Sequence, residues 1–355
     1  MKRLEDFAGD INKCSKCGLC QSVCPVYKQT GNDCAVSRGK FVMLDGVLKG
    51  DLKLSRTINK YLDLCLKCGK CKEFCPSNID VCRIFETAKY EYSKKHFNLF
   101  WLLESRYLFD NFLKISSLVQ KLFGRNAFRK SGCIKLLYFR GCVNKVYPKV
   151  ENALKKILSF YDVQLIEKDF ACCGLPFLSC GNLERFEEVK KRNLQLLTDD
   201  YDYIITDCAS CEDTLKTYMP EDKIINAADF VAKFPKKFIF KNPVTVTFHK
   251  PCHLKNIDFL SLILDMCENV NYIEMKDYEE CCGFAGEFAL KNPKISRAIG
   301  REKARNIIAT GADYVLSLCP SCTLGLHQGF AANSNFRHPK VKNIIEFLAL
   351  AEKII

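Results

Sequence analysis

Residues 14–25 read CSKCGLCQSVCP and residues 65–76 read CLKCGKCKEFCP, so the pattern C-x2-C-x2-C-x3-C-P occurs twice. Short loops between the first three cysteines let their sulfurs converge on one cofactor, whereas the proline turns the chain and sends the fourth sulfur elsewhere. Structural zinc sites instead use a C-x2-C pair with a separate second pair. The two motifs therefore predict two cubane 4Fe-4S clusters.

The fourth cysteine of each motif is expected to bind the cluster of the other motif, as it does in proteins that hold two such clusters. Three closely spaced cysteines of one motif then combine with a distant one. The first predicted shell is Cys14, Cys17, Cys20 and Cys75, and the second is Cys65, Cys68, Cys71 and Cys24.

Ten further cysteines form a second repeat, in which an adjacent pair is followed by glycine and a C-x2-C pair comes last. Its first copy consists of Cys142, Cys172, Cys173, Cys208 and Cys211, and its second copy of Cys252, Cys281, Cys282, Cys319 and Cys322. Equivalent positions are separated by 109 to 111 residues. Such a constant offset indicates an internal duplication.

Short apolar segments end just before these cysteines. The segments predicted as strands are residues 134–141, 201–207, 244–250 and 312–318. Helical patterns occupy residues 148–160, 183–197, 259–269 and 293–310. Alternating strands and helices predict α/β lobes with parallel sheets. Cysteines that follow the strands are expected at the carboxyl edge of each sheet, the usual place for a site in such a fold.

The adjacent cysteines need a special turn, because consecutive side chains diverge in an extended segment. Gly174 and Gly283 follow the two pairs and permit a positive φ that brings both sulfurs to one cofactor. Five thiolates per lobe suggest either a cluster of unusual geometry or four ligands plus one reactive thiol. A structural zinc site and a redox dithiol are the alternatives, and beside the two N-terminal motifs we favour iron-sulfur clusters.

Composition bounds the class of protein. The chain has 355 residues, more than one hydrophobic core usually organises, and 23 of them are cysteines. The formal charge of +13 counts every cysteine as neutral, whereas metal-bound thiolates would make the net charge much lower. The positive charge therefore has little weight, and we expect no nucleic-acid partner. The first residues contain no apolar run typical of a signal peptide, and no uncharged apolar stretch of about 18 residues follows. We therefore expect a cytoplasmic protein.

Local sequences around the cysteines add a family resemblance. They are Ser37-Arg38-Gly39-Lys40, Cys208-Ala209-Ser210-Cys211, Pro251-Cys252-His253 and Cys281-Cys282-Gly283-Phe284-Ala285-Gly286. Together with the two repeats, they make the whole chain similar to the iron-sulfur subunit of glycolate oxidase and to its relatives in lactate utilisation, anaerobic glycerol-3-phosphate oxidation and heterodisulfide reduction. Glycolate-oxidase-type members commonly keep one cysteine of the last C-x2-C pair, whereas Cys319 and Cys322 are both present here.

The resemblance implies an α+β multidomain fold, with an N-terminal helical two-cluster ferredoxin domain followed by two duplicated α/β CCG (cysteine-rich) lobes. The expected boundaries are residues 1–93 for the ferredoxin domain, 94–132 for a helical connector, 133–243 for the first lobe and 244–355 for the second. It also implies 4Fe-4S clusters in the lobes. In the heterodisulfide reductase branch these are noncubane clusters, each held by five cysteines.

The resemblance further implies a subunit of an oxidoreductase complex. An FAD-binding dehydrogenase subunit would oxidise glycolate or another 2-hydroxy acid, and this chain would relay single electrons toward a quinone or another acceptor. The sequence has no GxGxxG fingerprint and no P-loop, as expected if the flavin sits on a separate subunit. We therefore expect the isolated chain to be inactive and assign no catalytic residue. The alternative is a heterodisulfide-reductase-type subunit that cleaves a disulfide at a CCG-bound cluster.

Residues outside the repeats have simpler interpretations. The connector is basic and rich in aromatic residues, so it either packs on the lobes, which we favour, or contacts a partner subunit or the inner face of the cytoplasmic membrane. Three histidines next to the motifs are suited to hydrogen-bond a cluster thiolate: His249, His253 and His327. The remaining cysteines are interpreted as non-ligands, two of them (82 and 267) in apolar helical patterns: Cys34, Cys82, Cys133, Cys180 and Cys267.

Overall fold

The computed structural model describes residues 2–95, 132–145, 147–197, 200–333 and 337–355. These residues form a helical N-terminal region and two lobes, each built on a parallel sheet. The architecture confirms the predicted α+β multidomain class. Residues 96–131, which contain most of the predicted connector, lie outside the described residues.

The N-terminal region is a set of mostly short helices around an apolar core. The helices are α1 (Ala8–Asn12), α2 (Leu19–Ser22), α3 (Pro25–Thr30), α4 (Ser37–Leu48), α5 (Arg56–Asp63), α6 (Lys70–Glu73) and α7 (Val81–Lys95). Ser55 caps α5, because its side chain accepts a hydrogen bond from the backbone N–H of Ile58 at 3.4 Å. Leu44, Ile84 and Ala88 are fully buried in the core.

The first lobe contains four parallel strands in the order β2-β1-β3-β4. They are β1 (Ile134–Tyr138), β2 (Val163–Glu167), β3 (Tyr203–Thr206) and β4 (Ile224–Asn226). The helices of this lobe are α8 (Lys149–Leu158), α9 (Leu175–Cys180), α10 (Leu183–Gln195), α11 (Ala209–Leu215) and α12 (Ala227–Lys233). Helices cover parallel sheets on both faces, which explains the apolar run at Ile204 and Ile205.

The second lobe repeats this topology with the strand order β6-β5-β7-β8. Its strands are β5 (Phe238–Phe248), β6 (Cys267–Tyr272), β7 (Tyr314–Ser317), β8 (Lys340–Asn343) and β9 (Lys353–Ile354), of which β9 pairs antiparallel with β5. Its helices are α13 (Asp258–Asp265), α14 (Glu287–Lys291), α15 (Pro293–Ile308), α16 (Pro320–Ala331) and α17 (Ile344–Leu348). The shared strand order supports the duplication inferred from cysteine spacing.

One apolar core joins the two lobes. Leu154 and Ile157 of α8 belong to the same buried cluster as Phe347 of α17. Lys156 of α8 also donates a hydrogen bond to the carbonyl of Ala349, just after α17, at 2.6 Å. The two lobes therefore share one continuous hydrophobic core.

Lys89 of α7 connects the N-terminal region to both lobes. Its ammonium donates to the carbonyl of Ser179 in the first lobe and to Glu287 in the second, each at 2.9 Å, and lies 2.8 Å from Asp63. Burial favours the neutral amine, but the carboxylates of Glu287 and Asp63 outweigh it and raise the pKa of Lys89. Lys89 thus remains a cation at a junction of three parts of the chain.

Two local predictions need correction. The predicted helix at residues 259–269 ends at Asp265, and Cys267 begins strand β6 rather than lying in a helix. Strand β5 begins at Phe238, before residue 244, where Phe238 pairs with Cys267. Pairing at the sheet edge outweighs the local helical pattern, because strand formation depends on its neighbours more than on propensity. The helices predicted at residues 183–197 and 293–310 are confirmed as α10 and α15.

Candidate metal centres

The two N-terminal cysteine motifs fold in the same way. Lys16 and Lys67 have φ angles of 58° and 54°, and Gly18 and Gly69 have φ angles of 88° and 78°. Left-handed residues at matching positions tighten both loops around their first two cysteines. A short helix, α2 or α6, follows each glycine and carries the third cysteine.

Each motif lines a cavity that also receives the fourth cysteine of the other motif. One cavity is lined by all members of the first predicted shell, Cys14, Cys17, Cys20 and Cys75. Another is lined by all members of the second, Cys24, Cys65, Cys68 and Cys71. Cys71 borders both cavities, so the two sites are neighbours.

Sequence analysis missed polar groups around the second cavity. Lys40 is 1% exposed, and its ammonium donates to two backbone carbonyls at 2.7 and 2.8 Å. Ser37 lies beside the thiol of Cys71. Cys82, interpreted as a non-ligand, also lines this cavity. For Lys40 and Ser37 a sequence signal was available, because both lie in the stretch Ser37-Arg38-Gly39-Lys40 that contributed to the family resemblance.

The five cysteines of the first lobe lie together at the carboxyl edge of its sheet. Cys142 follows β1, and Cys208 follows β3 as the N-cap of α11. The sulfurs of Cys142 and Cys172 are 3.6 Å apart. Cys173 lies next to both Cys172 and Cys211. The structure thus groups all five predicted residues.

The second lobe repeats the arrangement with its own five cysteines. Cys252 follows β5, and Cys319 follows β7 as the N-cap of α16. Cys281 lies next to Cys252 and Cys282, and Cys322 lies next to Cys282 and Cys319. The order of thiol contacts is the same as in the first lobe.

The glycine after each adjacent cysteine pair makes the turn that the sequence predicts. Gly174 has φ of 102° and Gly283 has φ of 80°. A Cβ on Gly174 would lie 2.5 Å from the ring of Phe186, and one on Gly283 would lie 2.9 Å from the side chain of Ile299. Both glycines are required by the backbone conformation and by close packing.

Two cysteines of the second predicted shell need a nearby positive charge to become thiolates. Burial raises the pKa of Cys68 well above its ordinary value and raises that of Cys71 to about 12. Such thiols stay protonated near neutral pH unless positive charge stabilises the thiolate. Iron supplies that charge, and thiolate is a soft ligand suited to it. The donor sets therefore fit iron-sulfur clusters.

The four cysteine sets form a row. Cys68 of the second shell shares an apolar cluster with Cys281 of the second lobe. Across the lobes, Cys208 lies next to Cys319, and the N–H of Ala209 donates to the carbonyl of Leu318 at 2.8 Å. The order in space is first shell, second shell, second lobe, first lobe.

The three histidines occupy different environments. Nδ1 of His253 lies 2.7 Å from a carboxylate oxygen of Asp213 in the other lobe. Burial opposes protonation of His253, but Cys252 and Asp213 raise its pKa to about 9. His249 is fully buried, whereas His327 is exposed.

Comparison with known families agrees with this geometry. Residues 10–79 match the 4Fe-4S dicluster domain, and residues 136–216 and 246–327 each match the Cysteine-rich domain. This chain is a 4Fe-4S protein with two cysteine-rich domains. The two matches to the cysteine-rich domain coincide with the two lobes, and the dicluster match spans both N-terminal motifs.

Curated relatives of this 4Fe-4S protein belong to oxidoreductases. It is 28% identical to one subunit of the CoM/CoB fumarate reductase of Methanothermobacter marburgensis, over 96% of this chain and 72% of the relative. It is 24% identical to the probable glycolate oxidase iron-sulfur subunit of Bacillus subtilis, over 90% and 89%. It is 22% identical to one subunit of the dihydromethanophenazine:CoB–CoM heterodisulfide reductase of Methanosarcina mazei, over 96% and 94%. Each of these three relatives is named as a subunit of an oxidoreductase.

A solved structure has a similar fold. The crystal structure of a hypothetical protein from Helicobacter pylori aligns with a TM-score of 0.53 at 10% identity, covering 89% of this chain and 67% of that one. At this identity the likeness concerns the fold alone.

Two of the cysteines interpreted as non-ligands have other surroundings. Cys180 donates a hydrogen bond to the carbonyl of Phe177 at 3.2 Å, and Cys133 is exposed. In the part of the chain that the structure describes, no helix is both long and apolar enough to cross a bilayer.

Proposed function

We propose that this chain is the iron-sulfur electron-transfer subunit of a flavin-dependent 2-hydroxy-acid dehydrogenase of the glycolate oxidase type. It receives single electrons from a partner FAD-binding subunit and passes them toward a quinone or another acceptor. The observation that carries the proposal is the uninterrupted row of four cysteine sets. The named relative from Bacillus subtilis, a probable glycolate oxidase iron-sulfur subunit, supports the choice of complex.

The proposed cluster ligands are the eighteen cysteines of the two repeats. In the N-terminal region they are Cys14, Cys17, Cys20, Cys24, Cys65, Cys68, Cys71 and Cys75. In the lobes they are Cys142, Cys172, Cys173, Cys208, Cys211, Cys252, Cys281, Cys282, Cys319 and Cys322. A 4Fe-4S cluster at each set supplies one-electron chemistry.

Contacts between successive sets support transfer along the row. Cys71 borders both N-terminal cavities, and Cys68 lies in one apolar cluster with Cys281. Cys208 and Cys319 lie next to each other at the last junction. Both of these cysteines are buried, so the junction between the lobes is shielded from water.

Two-electron chemistry belongs to a partner in this proposal. The sequence contains no GxGxxG fingerprint and no P-loop, so the flavin that would oxidise the hydroxy acid is assigned to another subunit.

A second candidate function is cleavage of a disulfide substrate at a cluster of the lobes, as in a heterodisulfide-reductase-type subunit. The complete second-lobe set favours it, because both Cys319 and Cys322 are present and belong to the same thiol group as Cys282. The named relatives from Methanothermobacter marburgensis and Methanosarcina mazei also belong to CoM/CoB systems.

Anaerobic purification of the tagged chain from its native cell, with identification of co-purifying subunits, tests the two functions. We expect an FAD-binding subunit and transfer of electrons from glycolate or lactate to a quinone analogue. Disulfide reduction that needs no flavoprotein and is lost in Cys281→Ala would instead select the second function. Oxidation of a hydroxy acid by the isolated chain would contradict both.

A further inference from the structure

His249 is a buried imidazole whose polar atoms are unsatisfied. It follows strand β5 and is 0% exposed. Neither of its ring nitrogens has a hydrogen-bond partner among the described residues. Buried polar groups in native proteins nearly always have a partner, so this side chain faces a group that protein atoms do not supply.

The imidazole faces the cysteines of the second lobe. One ring nitrogen of His249 and the sulfurs of Cys282 and Cys322 all lie within 4.8 Å of one another. Five thiols are already available to the cluster of this lobe, so the histidine is not needed as a ligand. A neutral imidazole still offers an N–H, and cluster sulfurs are good acceptors.

The first lobe has a phenylalanine at the same place. The N–H of Phe139 donates to the carbonyl of Ile205, and the N–H of His249 donates to the carbonyl of Leu316, both at 2.9 Å. Each residue therefore occupies the same position after the central strand of its sheet. Phe139 is fully buried, and its ring is 5.1 Å from that of Phe170. It offers the first-lobe cysteines no hydrogen-bond donor.

Buried charges are arranged differently around the two sets, although the first lobe also has a buried lysine, Lys145, that acts on Cys142. Lys303 of α15 is 3% exposed, and its positive charge acts on Cys281 and Cys282. The matching position of α10 is Asn193, a neutral side chain that donates to the carbonyl of Cys172 at 3.0 Å. Next to the first-lobe set, the buried carboxyl of Asp207 accepts from Tyr138 at 2.7 Å.

We propose that His249 donates a hydrogen bond to a sulfur of the second-lobe cluster and that this cluster is more readily reduced than the first-lobe cluster. A hydrogen bond to cluster sulfur stabilises the more negative, reduced state, as does a nearby cation. The inference rests on the proposed cluster site of the second lobe and not on the identity of the partner or acceptor. Of the two lobe clusters, the second-lobe cluster is therefore the first to be reduced.

The test uses the full chain with reconstituted clusters and ¹⁵N-labelled histidine. Cys322→Ala assigns the second-lobe paramagnetic signal, and Cys211→Ala assigns the first-lobe signal. We expect a nitrogen coupling on the second-lobe signal that is lost in His249→Leu. We also expect the midpoint potential of that signal to fall in His249→Leu and to recover in part in His249→Gln, with iron content unchanged.

Two further variants sharpen the comparison. Phe139→His is expected to raise the midpoint potential of the first-lobe signal, and exposed His327→Leu is expected to change neither signal. An unchanged second-lobe potential in both His249 variants would overturn the proposal, as would loss of second-lobe iron in both, which would make His249 a ligand. Absence of a second-lobe signal from the wild-type chain would overturn the cluster site together with this inference.

Discussion

The thiol of Cys208 in the first lobe lies next to the thiol of Cys319 in the second. The two residues are equivalent by duplication, so the contact lies where the two cysteine sets meet. Ser210 adds a second contact across this junction, with its hydroxyl 3.4 Å from the sulfur of Cys319. The cysteine set of one lobe is therefore in contact with the cysteine set of the other.

The iron content tests the number of sites. Four complete sets should hold about 16 iron per chain after anaerobic reconstitution, because each cluster contains four. Iron and acid-labile sulfide analysis, with zinc measured in parallel, checks this number. A preparation with about half the iron and stoichiometric zinc would contradict cluster binding in the lobes.

Single substitutions should separate ligands from other cysteines. Cys17→Ala and Cys68→Ala should each remove one cluster signal, since each is the middle residue of a triplet. Cys180→Ala and Cys267→Ala should retain all signals, because the structure places these residues in α9 and β6, outside the cysteine sets. Paramagnetic resonance of the reduced proteins is the measurement, and equal losses at both kinds of position would contradict the assignment.

Gly283→Ala should remove the second-lobe cluster. The turn holds residue 283 in a left-handed conformation that alanine rarely adopts, and the new Cβ would lie 2.9 Å from Ile299. The turn that directs Cys281 and Cys282 would therefore open. Gly311→Ala is the matched control, because its φ is also positive but no atom lies within 4 Å of the new Cβ. Retention of the second-lobe signal in Gly283→Ala would show that the turn is dispensable.

Cys71→Ala should interrupt electron transfer without affecting substrate oxidation. Cys71 borders both N-terminal cavities, so its loss weakens the row at their junction. With the cognate flavoprotein, flavin reduction by glycolate or lactate should persist while reduction of a quinone analogue falls to background. Stopped-flow absorbance of the flavin and of the acceptor separates the two steps. Unimpaired quinone reduction would refute transfer through this site.

Lys89→Met should destabilise the junction between the N-terminal region and the lobes. It leaves the buried carboxylates of Asp63 and Glu287 with one fewer cation, although Lys291 still contacts both. Loss of a buried ion-pair partner costs about 3 kcal/mol of unfolding free energy. The control is Lys49→Met, which removes an exposed pair with Asp45 and should change little. Anaerobic denaturant titration compares them, and equal midpoints would contradict the role of Lys89.

The sequence by itself determined the cysteine sets, because ligand geometry depends on local spacing. Three cysteines at intervals of three residues can only reach one nearby site, and a constant offset identifies equivalent positions without knowledge of the fold. The glycine turns and the ends of the strands before Cys142, Cys208 and Cys319 follow from the same local reasoning. The exchange of Cys24 and Cys75 between motifs follows from the pattern of proteins that hold two such clusters. Helix α10 and helix α15 were predictable because their patterns are long and periodic.

Only the tertiary structure decided the order of the sites in space. Along the chain the second N-terminal motif is followed by the first lobe, yet Cys68 meets Cys281 of the second lobe. Side-chain hydrogen bonds between residues distant in sequence hold the N-terminal region against the second lobe. Examples are Gln29 with Glu302 and Lys291 with Asp63. The strand at Cys267 and the unpartnered His249 are likewise products of long-range packing, because their neighbours come from other elements and local spacing carries no information about them.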